Sequence, residues 1–354
     1  NFPGVSGTVK GYIANIINLG TSNHVRTQLL DYLACPNCET EKPFDVQANA
    51  SHDDGDIVSG TLTCQSCQCV YQIRDGIPRF VSLDQDYCSN FGFQWKRWRT
   101  LQIDRLSGHS LSTDRFFADS EWPPSSLEGK VILDAGCGAG RFADVAAAHG
   151  ATVIAVDISD AIDACQETTA VHSGRVHCLQ ASLLNLPLRP MILDAVYCMG
   201  VIQHTPDPAA VVRSLPSYLK PGGQLAYNFY EEGIWRCLQI IKYALRLITP
   251  HLSVSKNLAL SQFLVGLFFP LTRRLAKVPK VRIINHFIPI ASVHNAQLST
   301  DDQRAWTLLD TLDWYGARYE KRQHHEDVAT QLRDLGMAAV RSRPGLAWAT
   351  KPEK

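Results

Sequence analysis

The sequence predicts an α/β fold in which a parallel, doubly wound sheet follows a small cysteine-bearing module. From residue 130 onward, apolar runs alternate with stretches of helical periodicity, the order expected when parallel strands are joined by helices. Ahead of that region stand two C-x-x-C pairs. A basic, apolar stretch interrupts the alternation after the fifth expected strand.

The 354 residues are enough for two or three domains. Composition and motifs divide them into six predicted segments: an N-terminal extension (1–27), the cysteine-bearing module (28–81), a connector that could act as a lid (82–129), a strand–helix core (130–230), a helical insertion (231–322) and a closing helix with two strands (323–354).

Charge and cysteine usage exclude several classes of protein. Lys+Arg and Asp+Glu number 34 each, so the net charge of the whole chain is zero and indicates no partner. The 11 cysteines are too sparse for a disulfide scaffold and are expected to be reduced, in the cytoplasm. No basic segment precedes an apolar one near residue 1, so no signal peptide is expected. The longest apolar run, 258–271, is predicted to be too short to span a bilayer, which needs about 20 residues.

The paired cysteines predict a zinc site. Cys35 and Cys38 form the first pair, Cys64 and Cys67 the second, and 25 residues separate the two pairs. Two such pairs bring four thiolates to one tetrahedral ion. Because a module of about 50 residues rarely folds on its apolar core alone, the metal would supply the missing stability. Cys69 could compete for the site, but Cys67 keeps the two-residue spacing.

The residues around these pairs sharpen that prediction. Residues 33–38 (LACPNC) and 71–80 (YQIRDGIPRF) resemble the zinc-ribbon family of the small subunit that activates tRNA and rRNA methyltransferases. The resemblance covers residues 28–81. It implies that the zinc is structural, with all four positions filled by protein, and that the ribbon can dock a protein partner.

A glycine-rich turn follows the first strand of the core. Residues 131–141 (VILDAGCGAGR) run from an apolar strand through Gly136, Gly138 and Gly140 into a helix. Glycines let the backbone approach a ligand, and a helix N-terminus offers free N–H groups. Asp157 ends the next strand about 20 residues later, where a carboxylate suits ribose hydroxyls. The glycine spacing differs from the G-x-G-x-x-G of dinucleotide-binding proteins, which argues against NAD or FAD.

This segment resembles motif I of the class I methyltransferases that use S-adenosylmethionine (SAM). The similarity continues through residues 180–187 (QASLLNLP), 198–208 (CMGVIQHTPDP) and the turn at 220–223. It implies a Rossmann-like, seven-stranded sheet that binds SAM. The residues expected to contact SAM are Asp134, Gly136, Cys137, Gly138, Gly140, Asp157, Ile158, Ser182, Leu183 and Cys198.

The resemblance also implies a role for several of these positions. The three glycines would border the methionine part of SAM, and Asp134 would hold that loop or the amine of SAM through water. Asp157 would accept from the ribose, and Ile158 would cover one face of the adenine. Ser182 stands where many members carry Asp.

Four residues are candidates for contact with the methyl acceptor. His204 follows the fourth strand, and histidine side chains titrate in the range that suits a general base. A structural histidine at the start of the following helix is the alternative. Tyr230 ends the fifth strand, and Tyr315 and Tyr319 precede the closing helix; each is either a substrate contact or a packing aromatic. Gly200 and Gln203 stand where some quinone-pathway O-methyltransferases have metal-binding glutamates, so no catalytic metal is expected.

The insertion has an unusual charge balance. Residues 233–300 contain nine Lys and Arg and no Asp or Glu, so the rest of the neutral chain carries a net charge of −9. Apolar residues recur there at helical spacing, with a Trp. Such a pattern suits an anionic membrane surface, a lipid-like acceptor or a phosphate-bearing one. A helical lid with its charges in water is the alternative.

The leading hypothesis is therefore a cytoplasmic, SAM-dependent enzyme, either free or peripheral at a membrane. It would methylate O, N or C of a small, lipid-linked or glycosylated metabolite. An RNA methyltransferase is the second hypothesis, which the acidic loop of the ribbon (Asp53, Asp54 and Asp56) disfavours. A non-catalytic SAM-fold partner subunit is the third, and the intact glycine turn argues against it.

Overall fold

The computed structural model describes residues 27–51, 57–81, 89–172, 174–233, 239–278 and 282–353. Three features predicted from sequence lie outside these ranges. They are most of the N-terminal extension, the acidic ribbon loop with Asp53, Asp54 and Asp56, and the Trp of the insertion, Trp235.

The cysteine-bearing module is a small antiparallel sheet. A short helix, α1 (Thr27–Leu30), precedes it. Its four strands pair in chain order: β1 (Phe44–Ser51), β2 (Ile57–Cys64), β3 (Val70–Arg74) and β4 (Ile77–Arg79).

Seven further strands form the core sheet: β5 (Val131–Ala135), β6 (Thr152–Asp157), β7 (Val176–Gln180), β8 (Leu193–Met199), β9 (Leu219–Asn228), β10 (Ala338–Arg343) and β11 (Leu346–Thr350). They lie in the order β7-β6-β5-β8-β9-β11-β10. The first five are parallel, and β11 runs antiparallel to β9 and β10. The predicted seven-stranded, Rossmann-like α/β sheet is confirmed.

The two sheets are continuous. Strand β4 pairs in parallel with β7 through Arg79 and Gln180, so the described strands form one sheet of eleven. The sequence did not predict this joint, because a single pairing between residues 101 positions apart leaves no periodic signal.

Helices cover both faces of the sheet. Before the core lie α2 (Ser89–Arg97), α3 (Asp104–Ser107) and α4 (Leu111–Ser120), and within and after it lie α5 (Arg141–Ala148), α6 (Ala161–Thr169), α7 (Pro208–Ser214) and α11 (His325–Asp334). Successive residues of β5 point to opposite faces, so Ile132 packs in one apolar cluster and Leu133 in the other. Burial on both faces explains why the strands are continuous apolar runs.

The insertion contains α8 (Ile240–Leu245), α9 (Val254–Ala276) and α10 (Thr300–Gly316). Leu264, Val265 and Phe269 of α9 pack with Tyr315 of α10 in a separate apolar cluster. By length and composition alone, α9 is long and apolar enough to cross a membrane. The expectation that this region is too short was wrong, because the helix extends beyond the apolar run at both ends.

Candidate active site

A cavity opens at the carboxyl ends of β5, β6 and β8, where ligands bind in open α/β sheets. Its lining combines residues of the core, of α2 and of α10: Phe91, Gln94, Trp95, Gly136, Asp157, Ile158, Ser182, Leu183, Leu184, Met199, Gly200, Val201, His204, Thr205, Pro206, Val211 and Asp313.

The glycine turn requires its glycines. Gly136 has φ +87°, a left-handed conformation, and a Cβ there would overlap the side chain of Val201. Gly138 has φ +53°, and a Cβ there would lie 3.2 Å from the indole of Trp95. The side chains of Val201 and of Trp95 in α2 therefore pack closely against the turn, and Gly136 is the glycine of the turn that lines the cavity.

Asp157 lies at the end of β6 and lines the cavity. Its Oδ2 accepts from the backbone N–H of Gly138 at 2.9 Å, and its Oδ1 accepts from the N–H and Oγ of Ser159 at 2.8 and 2.7 Å. Burial raises the pKa of Asp157, while these donors oppose the rise. The carboxylate thus ties the glycine turn to β6 and retains lone pairs for ribose hydroxyls.

Asp134 lies deeper than the cavity wall. Its side chain is buried, and its Oδ2 has no hydrogen-bond partner among the described residues. Burial raises the pKa of this carboxyl well above its ordinary value. The carboxyl lies near the Tyr197 hydroxyl, two residues before the cavity-lining Gly136, where its unsatisfied Oδ2 fits a water that bridges to the amine of SAM.

The remaining predicted cofactor contacts divide into two groups. Ile158, Ser182 and Leu183 line the cavity on the side expected for adenine. Cys137 and Cys198 do not line it, since both side chains are buried in the apolar clusters on the two faces of the sheet. Gly140 also lies outside the lining. It is the N-cap of α5, with φ +81°, and its left-handed backbone turns the chain into the helix.

His204 lines the cavity, and the orientation of its ring follows from a hydrogen bond. Its Nδ1 lies 2.9 Å from the backbone carbonyl of Tyr319. A carbonyl oxygen only accepts, so Nδ1 carries the proton and Nε2 is the acceptor of the neutral ring. The ring lies between Phe91 and Tyr230, at centroid distances of 5.3 and 5.5 Å.

Asp313 of α10 is a site residue that the sequence analysis missed. Its Oδ2 lies 3.7 Å from His204 Nε2 and 3.4 Å from the hydroxyl of Tyr230. Tyr230 therefore contacts the lining residues His204 and Asp313, although it is not itself part of the cavity lining. The sequence signal available was a pair of acidic residues one helical turn apart, Asp310 and Asp313, but the sequence analysis did not predict which face of α10 they occupy.

The other two predicted tyrosines are placed differently. Tyr315 is fully buried against α9, and its hydroxyl donates to the carbonyl of Pro289 at 2.9 Å, so it lies away from the cavity. Tyr319 contributes its backbone carbonyl to His204, while its ring faces Arg318 and Lys321. The sequence placed both on the acceptor side because it could not fix where α10 ends.

The four cysteines of the ribbon converge. One sulfur from each of Cys35, Cys38, Cys64 and Cys67 lies within 4.8 Å of the others. The Sγ atoms of Cys35 and Cys67, and those of Cys38 and Cys64, are 3.6 Å apart. Tetrahedral zinc with Zn–S bonds of about 2.3 Å places its sulfurs about 3.8 Å apart, so the cluster fits zinc. Cys67, not Cys69, completes the cluster.

Two families match the chain in the segments that the motifs indicated. The methyltransferase domain family matches residues 133–227, which include the glycine turn, Asp157 and His204. The Trm112p-like protein family matches residues 26–76. Residues 133–227 are thus similar to a methyltransferase domain. The predicted SAM-binding fold and the resemblance of the ribbon are both confirmed.

Curated relatives are similar to part of the chain. A ubiquinone biosynthesis O-methyltransferase of Paracidovorax citrulli is 33% identical over 160 residues, which cover 42% of this chain and 63% of the relative. The ubiquinone biosynthesis O-methyltransferase of Idiomarina loihiensis is 34% identical over 157 residues, which cover 43% of this chain and 63% of the relative. The chain thus spans less than two thirds of these relatives.

Solved structures resemble the chain more distantly. A magnesium protoporphyrin IX methyltransferase of Synechocystis with bound SAH covers 75% of this chain and 97% of its own, at 16% identity and a TM-score of 0.42.

Proposed function

We propose that this methyltransferase domain transfers the methyl group of SAM to an oxygen of a small molecule bound in the cavity. The observation that carries the proposal is the position of His204. Its Nε2 is an available acceptor in the same cavity as Asp157 and the glycine turn. An oxygen acceptor must lose a proton, so it needs a base at this place. The names of the curated relatives support oxygen over nitrogen or carbon.

SAM bound at this turn supplies a methyl carbon on a positively charged sulfur. Gly136 would let the ligand approach the backbone, and Asp157 would accept hydrogen bonds from its sugar. These residues would hold SAM in the same cavity as His204. The acceptor oxygen forms the new bond to carbon, the electrons of the C–S bond stay with sulfur, and His204 Nε2 takes the hydroxyl proton.

Asp313 has a supporting role in the proposed reaction. When His204 gains a proton, the ring becomes cationic, and a carboxylate 3.7 Å away stabilises that charge. The carbonyl of Tyr319 keeps the ring in one orientation throughout. Asp313 is thus a positioning residue, and His204 touches the reacting hydroxyl.

The cavity lining favours an apolar acceptor. Phe91, Val201 and Leu184 contribute apolar side chains around His204 and the adenine side. A hydroxyl on a largely apolar body, such as a phenol or a lipid-like alcohol, would satisfy both the base and these walls.

The test is methyl transfer from labelled SAM to a panel of phenols and to a metabolite extract. His204→Ala should lower kcat by about 10²–10⁴ while SAM affinity stays unchanged. His251→Ala, which alters an exposed histidine, is the matched control and should retain full activity. Full activity of His204→Ala would make His204 structural, and no uptake of SAM by the wild-type chain would overturn the proposal.

A further inference from the structure

Helix α9 has one face against the protein and one face against solvent. The inner face carries the buried residues Asn257, Ser261, Leu264, Val265, Phe269 and Thr272. The outer face presents large apolar side chains at intervals of four residues. Phe263 is 66% exposed, Leu267 57% and Leu271 46%. Three large side chains in one row on a helix form a continuous apolar stripe.

Basic side chains flank this stripe at both ends. Lys256 lies exposed near the start of α9, and Arg274 and Lys277 lie exposed at its end. Over residues 233–300 the chain contains no acidic residue to neutralise them. The outer face of α9 is therefore apolar in the middle and cationic at its ends.

Neighbouring segments of the insertion also expose large apolar residues. Before α9, Leu247 is 79% exposed and Ile248 64%. After α9, Ile283, Ile284 and Phe287 are each between 44% and 46% exposed. Scattered single apolar residues need no explanation, but such a concentration within one segment indicates an interaction surface.

We propose that the outer face of α9 binds the surface of an anionic phospholipid bilayer. The apolar stripe would enter the boundary between headgroups and acyl chains, and the basic ends would contact the anionic headgroups. The helix would lie in the plane of the interface. A spanning orientation is disfavoured because the inner face, with Asn257, Ser261 and Thr272, is packed against the protein.

The charge pattern favours lipid over a second copy of the chain. If two copies paired through this face, the positive charges of both copies would lie close together and repel. Each copy would contribute Lys256, Arg274 and Lys277, and residues 233–300 contain no acidic residue to compensate them. An anionic bilayer supplies the opposite charge to all three at once.

The proposed surface is separate from the cavity but connected to it through one helix. In α10, Tyr315 packs against α9 while Asp313 lines the cavity. The lipid contact therefore uses none of the residues assigned to methyl transfer, and it can be tested without any assay of activity.

The experiment is co-sedimentation of the full chain with vesicles of phosphatidylcholine alone or of equal parts phosphatidylcholine and phosphatidylglycerol. We expect binding to the anionic vesicles, weakened by high salt. The double variant Phe263→Glu, Leu267→Glu should abolish binding. The triple variant Lys256→Ala, Arg274→Ala, Lys277→Ala should lower the partition coefficient by about fivefold per side chain, or roughly 100-fold in total.

Val171→Glu is the matched control, since Val171 is 54% exposed on the core domain, and its binding should equal that of the wild type. Circular dichroism and thermal unfolding establish that each variant is folded. Equal binding by the apolar variant and the wild type, or no binding to anionic vesicles, would overturn the inference. So would a wild-type dimer that the double variant converts to a monomer without any vesicle binding.

Discussion

Nη2 of Arg79 in the ribbon is 2.7 Å from Oδ1 of Asp163, a residue of α6 in the α/β core. The other carboxylate oxygen of Asp163 lies 2.8 Å from Nζ of Lys96, in α2 over the cavity. Burial opposes ionisation of Asp163, but its bonds to Lys96 and Arg79 outweigh that effect and lower its pKa. One carboxylate thus joins the ribbon, the segment over the cavity and the core.

Backbone contacts reinforce this junction. The N–H of Phe80 donates to the carbonyl of Gln180 at 2.8 Å, and the N–H of Ala34 donates to the carbonyl of Pro187 at 3.0 Å. The ribbon is therefore docked onto the domain of its own chain. Its predicted docking to a separate protein partner remains a prediction.

The junction predicts a loss of stability when Arg79 is removed. Arg79→Ala should lower the free energy of unfolding by about 2 kcal/mol, because Asp163 and Gln180 each lose a buried partner while Lys96 still compensates Asp163. Urea unfolding measures the change. Arg74→Ala, at an exposed position of the same ribbon, should change it little. Equal effects of the two substitutions would show that the ion pair adds nothing.

Zinc removal should destabilise the ribbon first. A strong chelator should release one zinc per chain and unfold the segment around β1–β4, since a module of this size depends on its metal. Metal analysis and hydrogen exchange measure both effects. Cys67→Ser should lose the zinc, whereas Cys69→Ser should keep one equivalent, because Cys69 lies outside the four-sulfur cluster. Zinc loss from both variants alike would assign Cys69 to the site.

Asp157 should contribute directly to SAM affinity. Asp157→Ala should weaken SAM binding by about 1–3 kcal/mol, through the lost ribose contact and the loosened turn at Gly138. Calorimetric titration with SAM and with its demethylated product measures the change. Asp334→Ala, at an exposed helix end, is the control. Unchanged affinity would place Asp157 outside the binding site.

Local motifs predicted the parts of the site that depend on backbone geometry. The glycine turn, Asp157 and the four cysteines have fixed spacings, because a tight turn or a tetrahedral ion allows few alternatives. Asp313 could not be predicted in the same way. It lies near His204 but belongs to a helix more than 100 residues later in the chain. Its position therefore depends on how α10 packs, and no fixed sequence spacing relates the two residues.

The orientation of Cys198 could not be predicted for a different reason. Side chains alternate along a strand, so adjacent residues at the end of β8 point in opposite directions. Met199 faces the cavity and Cys198 faces the core. A motif aligned by similarity identifies the strand end but not which of two adjacent side chains faces the ligand.

The buried Glu320 should give the protein a specific sensitivity to acid. Its side chain is only 3% exposed and lies 2.9 Å from Lys242 Nζ, 2.7 Å from the Tyr243 hydroxyl and 3.3 Å from Arg322 Nη2. Burial alone would raise the pKa of Glu320, but the charge of Lys242 and the neighbouring donors lower it from 4.5 to about 2. A lowered pKa in the folded state adds stability above the unfolded value, and that stability is lost as the pH falls toward 2.

Glu320→Gln should therefore lower the free energy of unfolding by about 3 kcal/mol at pH 7, because Lys242, Arg246 and Arg322 lose their buried counter-charge. The difference from the wild type should shrink as the pH falls from about 4.5 to 2. Urea unfolding at a series of pH values measures it, with Glu41→Gln as an exposed control that should show no such difference. A difference that stays constant across this pH range would contradict the ion-pair account and leave only a packing defect.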